Sequence, residues 1–164
     1  MARREEICMT VKDLMIRDVV YCAPEDNLAT VAELLWTTDC GALPVVDAKK
    51  KLIGMITDRD VSIAQGTRVC RASELMARDV ATSPAFSCGL HDTCQEVMYL
   101  MRQHQVRRVP VVENGELIGM LSLNDLVLHA NKLGPITYDD VVSTMKAICQ
   151  HRAAGGPAST HVAA

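Results

Sequence analysis

Apolar residues fall into two arrangements along this chain: short continuous runs bounded by turn residues, and stripes spaced i, i+3, i+4, i+7. The two alternate in the same order twice. Leu52-Ile53-Gly54-Met55-Ile56 is a run of the first kind, and it stops at Thr57 with Asp60 three positions on. It predicts a buried strand whose glycine admits close backbone approach, followed by a helix whose first turn begins at the hydroxyl. Leu117-Ile118-Gly119-Met120-Leu121 with Ser122 and Asp125 reproduces the order.

The stripes complete each copy. Asp26 or Asn27 caps a helix with Leu28, Val31, Ala32 and Leu35 on one face, and a second helix carries Cys94, Val97, Met98 and Met101. A short helix starts at Thr10 to Asp13, and a brief strand is expected at Val19 to Tyr21. Leu43 to Asp47 pairs with the Gly54 run, and the helix from Thr57 is expected to end at Gly66 as its C′ residue. Asn114-Gly115 is a hairpin signal between the strands at Val109 and Leu117. After Gly134-Pro135, residues 139 to 150 form one more helix with Val141, Val142, Met145 and Ile148 apolar, suited to docking or dimer packing.

The copies are an internal repeat. Leu43-Pro44-Val45-Val46-Asp47 returns as Val109-Pro110-Val111-Val112-Glu113, 66 residues later, and Gly54 returns as Gly119, 65 later. Asp13-Leu14-Met15 and Arg17-Asp18-Val19 return as Glu74-Leu75-Met76 and Arg78-Asp79-Val80, only 61 later. The difference places five extra residues in the second copy around Ala85 to His91, with one fewer in its hairpin turn. The expected division is 10–68 and 71–133 for the repeats, 135–150 for the last helix and 151–164 for a disordered tail, whose Gly, Pro, Ser, Thr and Ala leave nothing to bury.

Charge narrows the function classes. A net charge of −3 and a pI near 5.9 supply no basic field for nucleic acid. No apolar run approaches the ~20 residues that span a bilayer, and no signal-like apolar region follows the first residues, so a cytoplasmic protein without a membrane partner is expected. Seven cysteines in odd number, without a CxxC pair, read as small core residues in a reducing compartment. No nucleophile–base signature and no Walker loop is present, so no enzyme is expected.

Each strand-to-helix junction offers free N–H groups, a hydroxyl and a carboxylate together. That set suits a ribose phosphate, with amides and hydroxyl on phosphate and the carboxylate on the sugar diol. Thr57-x-x-Asp60 and Ser122-x-x-Asp125 are also near relatives of the capping box, which needs no ligand. Two occurrences behind the same apolar-Gly-apolar strand favour the first reading.

A unit of about 60 residues present twice, carrying Leu-Pro-Val-Val-Asp and then Gly-Met-Ile-Thr-x-x-Asp, resembles the cystathionine-β-synthase (CBS) domain, and two copies resemble a CBS pair, or Bateman module. Val106-Arg107-Arg108-Val109-Pro110-Val111-Val112 adds to the likeness, which covers roughly residues 10 to 133. The resemblance implies an α/β (α+β) fold of two βαββα-type units with pseudo-two-fold symmetry, clefts for adenine nucleotides (AMP, ADP, ATP) or other adenosyl ligands, a flat homodimer and an unknown regulated protein. It implies that Asp60 with Thr57, and Asp125 with Ser122, hold ribose and phosphate, while Met55 and Met120 flank the adenine. By the same likeness Val20, Cys40 and Gly41 face the Asp125 cleft, and Ala81, Val106 and Arg107 the Asp60 cleft. Arg108, whose counterpart is Ala42, sends a cation to phosphate in the Asp125 cleft, and Arg59 is a lesser candidate in the other. Two alternatives stand beside this: a metal- or redox-responsive protein using Cys88, His91 and Cys94, and a structural dimerisation adaptor with empty clefts.

Overall fold

The computed structural model describes residues 8–150, so the tail expected at 151–164 lies outside the described residues. In chain order the elements are α1 (Val11–Leu14), α2 (Leu28–Thr37), β1 (Ala42–Val46), β2 (Leu52–Thr57), α3 (Asp58–Thr67), two 3-10 turns (Ala72–Glu74 and Ala77–Asp79), β3 (Cys88–Gly89), α4 (Cys94–His104), β4 (Arg108–Glu113), β5 (Glu116–Ser122), α5 (Leu123–His129) and α6 (Tyr138–Cys149). The Asn27 side chain accepts from the Ala29 and Thr30 N–H groups and so starts α2, whose Leu28, Val31 and Leu35 are buried. Thr93 and Glu96 form the reciprocal cap of α4, which buries Cys94, Val97, Met98 and Met101. All five residues of β1 are buried. Asn114 and Gly115 both take positive φ, 51° and 80°, the two-residue turn that their sequence predicts.

Each repeat builds one antiparallel hairpin, β1 with β2 and β4 with β5, and each has a bulge at the same place, after Val45 and after Val111. A parallel neighbour completes each: β3 beside β4 in the second repeat, and a single bridge from Cys22 to Val45 in the first. The repeats are joined by bridges that exchange under a two-fold swap. Lys51 pairs with Glu116 at the centre, where Leu52 N–H donates to Gly115 O (3.1 Å) and Leu117 N–H to Lys50 O (3.0 Å). Ile16 of the first repeat pairs with Met120 of the second, and Met55 of the first with Thr82 of the second. Thr10 pairs with Thr93, and Asn27 with Met76. The fold is therefore α+β with pseudo-two-fold symmetry.

The lead segments are exchanged between cores. Val11, Leu14 and Met15 pack with Cys88, Val97, Val109 and Leu121, while Leu75 and Ala77 pack with Leu28, Val31, Val45 and Ile56. This crossing explains both strand glycines. A Cβ on Gly54 would stand 2.7 Å from the Thr82 carbonyl oxygen, and one on Gly119 would stand 2.9 Å from that of Ile16.

Two expectations are corrected. The lead segments of the repeats stand 66 residues apart, not 61, because the bridges equate Thr10 with Met76 (76 − 10) and Asn27 with Thr93 (93 − 27). No five extra residues then fall at Ala85 to His91. Gly66 lies inside α3, which ends one residue later with Arg68 as its cap. The apolar stripes of α2 and α4 form the cores of the two repeats, as their spacing predicts. α6 packs beside α4, where Arg102 Nη1 donates to Thr144 Oγ1 (2.9 Å) and Gln105 Nε2 to Gln150 O (2.8 Å).

Candidate functional site

The two helix starts have the same local geometry. Asp60 Oδ2 accepts from Thr57 N–H (2.9 Å) and Thr57 Oγ1 (2.7 Å), and Asp125 Oδ2 accepts from Ser122 N–H (2.8 Å) and Ser122 Oγ (2.6 Å). The same reciprocal cap stands at Thr93 with Glu96 and Thr137 with Asp140, and its carboxylate half at Thr10 with Asp13. Capping alone therefore does not single out a site. What sets α3 and α5 apart is that each follows a glycine strand crossed by the other repeat.

One corner gathers four of the expected residues. Arg108 pairs with Ser122 across the hairpin, and Ser122 caps the helix with Asp125. The Arg108 side chain reaches Gly41 of the first repeat: a Cβ there would lie 3.6 Å from Nη1. The same point lies 3.3 Å from Asp58 Oδ2, and the Asp58 N–H donates to Gly41 O (3.3 Å). Asp58 escaped the sequence reading. Its signal was its place as the first helical residue after Thr57, where the second repeat has a buried Leu123. Arg59 is exposed, and its N–H donates to Asp58 Oδ1 (2.7 Å).

The other expected residues divide. Ala81 stands beside Gly54, its Cβ 3.6 Å from a Cβ built there, next to the Met55–Thr82 bridge. Met55 is half-buried and Met120 buried. Arg107 O accepts from Leu123 N–H (2.8 Å) at the start of α5, as Gly41 O accepts from Asp58 N–H at the start of α3. Val106 and Cys40 are half-buried, and Cys40 Sγ lies 3.1 Å from Thr38 Oγ1. Val20 is exposed and not at the crossing with Met120: Met15 and Ile16 fill that place, as the 66-residue spacing requires. A recess of about 130 Å³ lined by Arg17, Val19, Tyr21, Val46, Lys50 and Leu117 to Gly119 lies toward the hairpin turns, away from both helix starts.

Of the seven cysteines expected in the core, Cys22, Cys88 and Cys94 are buried, Cys40 and Cys70 half-buried, and Cys8 and Cys149 exposed. Cys88 Sγ donates to Pro110 O (3.8 Å), as its repeat mate Cys22 does to Pro44 O (3.7 Å). Burial, and then the nearby Asp92, pushes the Cys88 thiol up to about 12, and burial first also raises Cys94 to about 11. Thiols held protonated at neutral pH are poor ligands and poor nucleophiles. Among the described residues no group of three or more His, Cys, Asp or Glu side chains is placed to hold a metal ion.

Residues 11–66 and 77–132 match the CBS domain family model, with starts 66 residues apart as the bridges require. The chain belongs to the CBS domain family and carries two copies of the domain. Among its relatives, Uncharacterized protein YlbB of Bacillus subtilis is 36% identical over 119 residues, 72% of this chain and 80% of that protein. Hypoxic response protein 1 of Mycobacterium tuberculosis is 29% identical over 140 residues, covering 85% of this chain and 94% of that protein. The crystal structure of Hypoxic Response Protein I, with two coordinated zinc ions, superposes with a TM-score of 0.70 at 29% identity and covers 75% of this chain and 100% of that one. CBSX2 in complex with AMP has the same fold, with a TM-score of 0.64 at 24% identity over 73% of this chain and 94% of that one. No helix among the described residues is long and apolar enough to cross a membrane.

Proposed function

We propose that this chain is a regulatory CBS pair that takes an adenosyl ligand at the starts of α3 and α5, forms a homodimer and passes ligand occupancy to a partner protein. It makes no enzyme of the chain. The observation that carries the reading is the corner of Gly41, Arg108, Ser122 and Asp125, in which a cation, a hydroxyl, a helix start and a carboxylate of the second repeat stand together and the cation reaches Gly41 of the first. Asp125 uses Oδ2 for the cap, and Oδ1 takes no partner among the described residues, so it is left for a sugar diol. Arg108 supplies the charge for phosphate. AMP bound to CBSX2 supports this ligand class.

Calorimetric titration of the full chain with adenosine and with AMP tests it. Binding of both is expected, with Asp125→Ala weakening both because both present the diol. Heat from neither, nor from ATP or S-adenosylmethionine at millimolar concentration, would leave the structural adaptor as the better reading.

A further inference from the structure

α6 packs beside α4 with one face and leaves another to solvent. Val141 and Thr144 face inward, Thr144 fully buried under Arg102. On the opposite side Tyr138, Val142 and Met145 are 57%, 50% and 39% exposed, and Cys149 is exposed beyond them. These four stand at spacings of four, three and four residues, the repeat that lays one seam along a helix for another helix.

We propose that this face docks the same face of a second copy, with the two α6 helices antiparallel about a two-fold axis. The inference rests on the dimer reading above and names its surface. The charges select this occupant: Asp139 lies in the first turn of α6 and Lys146 in the last, so antiparallel copies bring each Asp139 toward the other's Lys146, whereas parallel copies leave them about 10 Å apart along the axis. Antiparallel helix dipoles add in the same sense. A self-complementary patch closes on itself as a dimer and grows no fibre. The twelve residues of α6 span about 18 Å. That is short of the ~800 Å² per partner of a standard interface, so the expected affinity is micromolar.

Sedimentation of the full chain from about 5 to 200 µM tests the surface across that affinity range. The wild type is expected to dimerise, and Val142→Glu with Met145→Glu to weaken association more than tenfold. Both residues are exposed, so an unchanged far-ultraviolet dichroism spectrum is expected alongside. Asp139→Lys or Lys146→Asp alone weakens association by about two- to fivefold, and the two together restore it. Cys149 of two antiparallel copies stands eleven residues of helix apart (149 − 138), about 16 Å, too far for the ~7 Å limit of a disulfide. Diamide treatment of a Cys8→Ser chain should therefore leave no Cys149-linked dimer. A disulfide dimer, or reversals that do not rescue each other, overturns the antiparallel seam. A dimer untouched by the double glutamate variant overturns the α6 surface and leaves the dimer reading standing, while a wild type monomeric throughout overturns both. Adenosine binding is read separately and depends on neither.

Discussion

The two repeats share a backbone plan and differ at their edges. Their hairpins bulge at equivalent places, their glycines are crossed by equivalent segments, and their cysteines 22 and 88 make equivalent bonds. At the helix starts the first repeat reads Thr57-Asp58-Arg59-Asp60, with two carboxylates, and the second Ser122-Leu123-Asn124-Asp125, with one and a buried leucine. Arg108 stands where the first repeat has Ala42, and only the second repeat carries α6 over its helices. What is shared is what the crossing of two chains in a small space demands. What differs lies at the helix starts and around α6, outside that crossing.

The largest test of that asymmetry is the dependence of the second core on the α6 region. Ile136 is fully buried in that core just before α6, whereas Cys70, 66 residues earlier, is only half-buried against the first. Ile136→Ala should cost about 2–5 kcal/mol in urea unfolding, and a loss below about 1 kcal/mol would mean that α6 rests on the surface without completing the core. Next is the unequal charge at the corner. Arg108→Ala should weaken AMP by about ten- to a hundredfold, as loss of a charge-assisted hydrogen bond implies, and leave adenosine nearly unchanged. Asp58→Ala, removing an anion from the same corner, should tighten AMP and again spare adenosine. Equal losses for both ligands would make Arg108 a structural residue.

Below these lies the crossing itself. Gly54→Ala forces a Cβ against the Thr82 carbonyl oxygen at 2.7 Å and should cost about 1–3 kcal/mol. Gly66→Ala meets nothing within 4 Å in the interior of α3 and should gain up to about 1 kcal/mol. Thermal unfolding of both variants checks the pair, and two similar small shifts would deny that the strand glycine is there for the crossing.

Much of this was legible because it is local. Caps, the Asn114-Gly115 turn, the glycine strands and the two-fold repetition follow from spacing over a few residues. The register of the lead segment was not legible. Leu14-Met15-Ile16-Arg17-Asp18-Val19 resembles Leu75-Met76-Ala77-Arg78-Asp79-Val80 residue for residue, yet Met15 is buried while Met76 caps a 3-10 turn at 37% exposure. The bridges that decide this join residues far apart in sequence. The reach of Arg108 to Gly41 and the nearness of Asp58 likewise exist only once the repeats are packed.

The smallest expected effect separates a cap that only starts a helix from one at a candidate cleft. Asp140 accepts from the Thr137 hydroxyl (2.6 Å) and N–H (2.9 Å), and its pKa is lowered from 3.8 chiefly by the hydroxyl bond, with Gln95 and Arg102 also favouring the charged form and partial burial opposing. A carboxylate whose folded pKa lies below its unfolded value contributes stability above the unfolded pKa, and that contribution is lost as pH falls through the folded one. Acid should therefore weaken the hold of α6 below about pH 4, the ordinary carboxylate range. Thr137→Ala removes the main cause, so the variant should be less stable than the wild type at pH 7 and nearly equal to it at low pH. Adenosine binding should not change at pH 7, since this cap lies at α6 and not at the helices of the clefts. Urea unfolding at the two pH values measures the first difference, and titration of the same variant measures the second. A Thr137→Ala deficit that stays constant with pH would show that the hydroxyl acts by packing rather than through the Asp140 charge, and a loss of adenosine binding would tie α6 to the clefts.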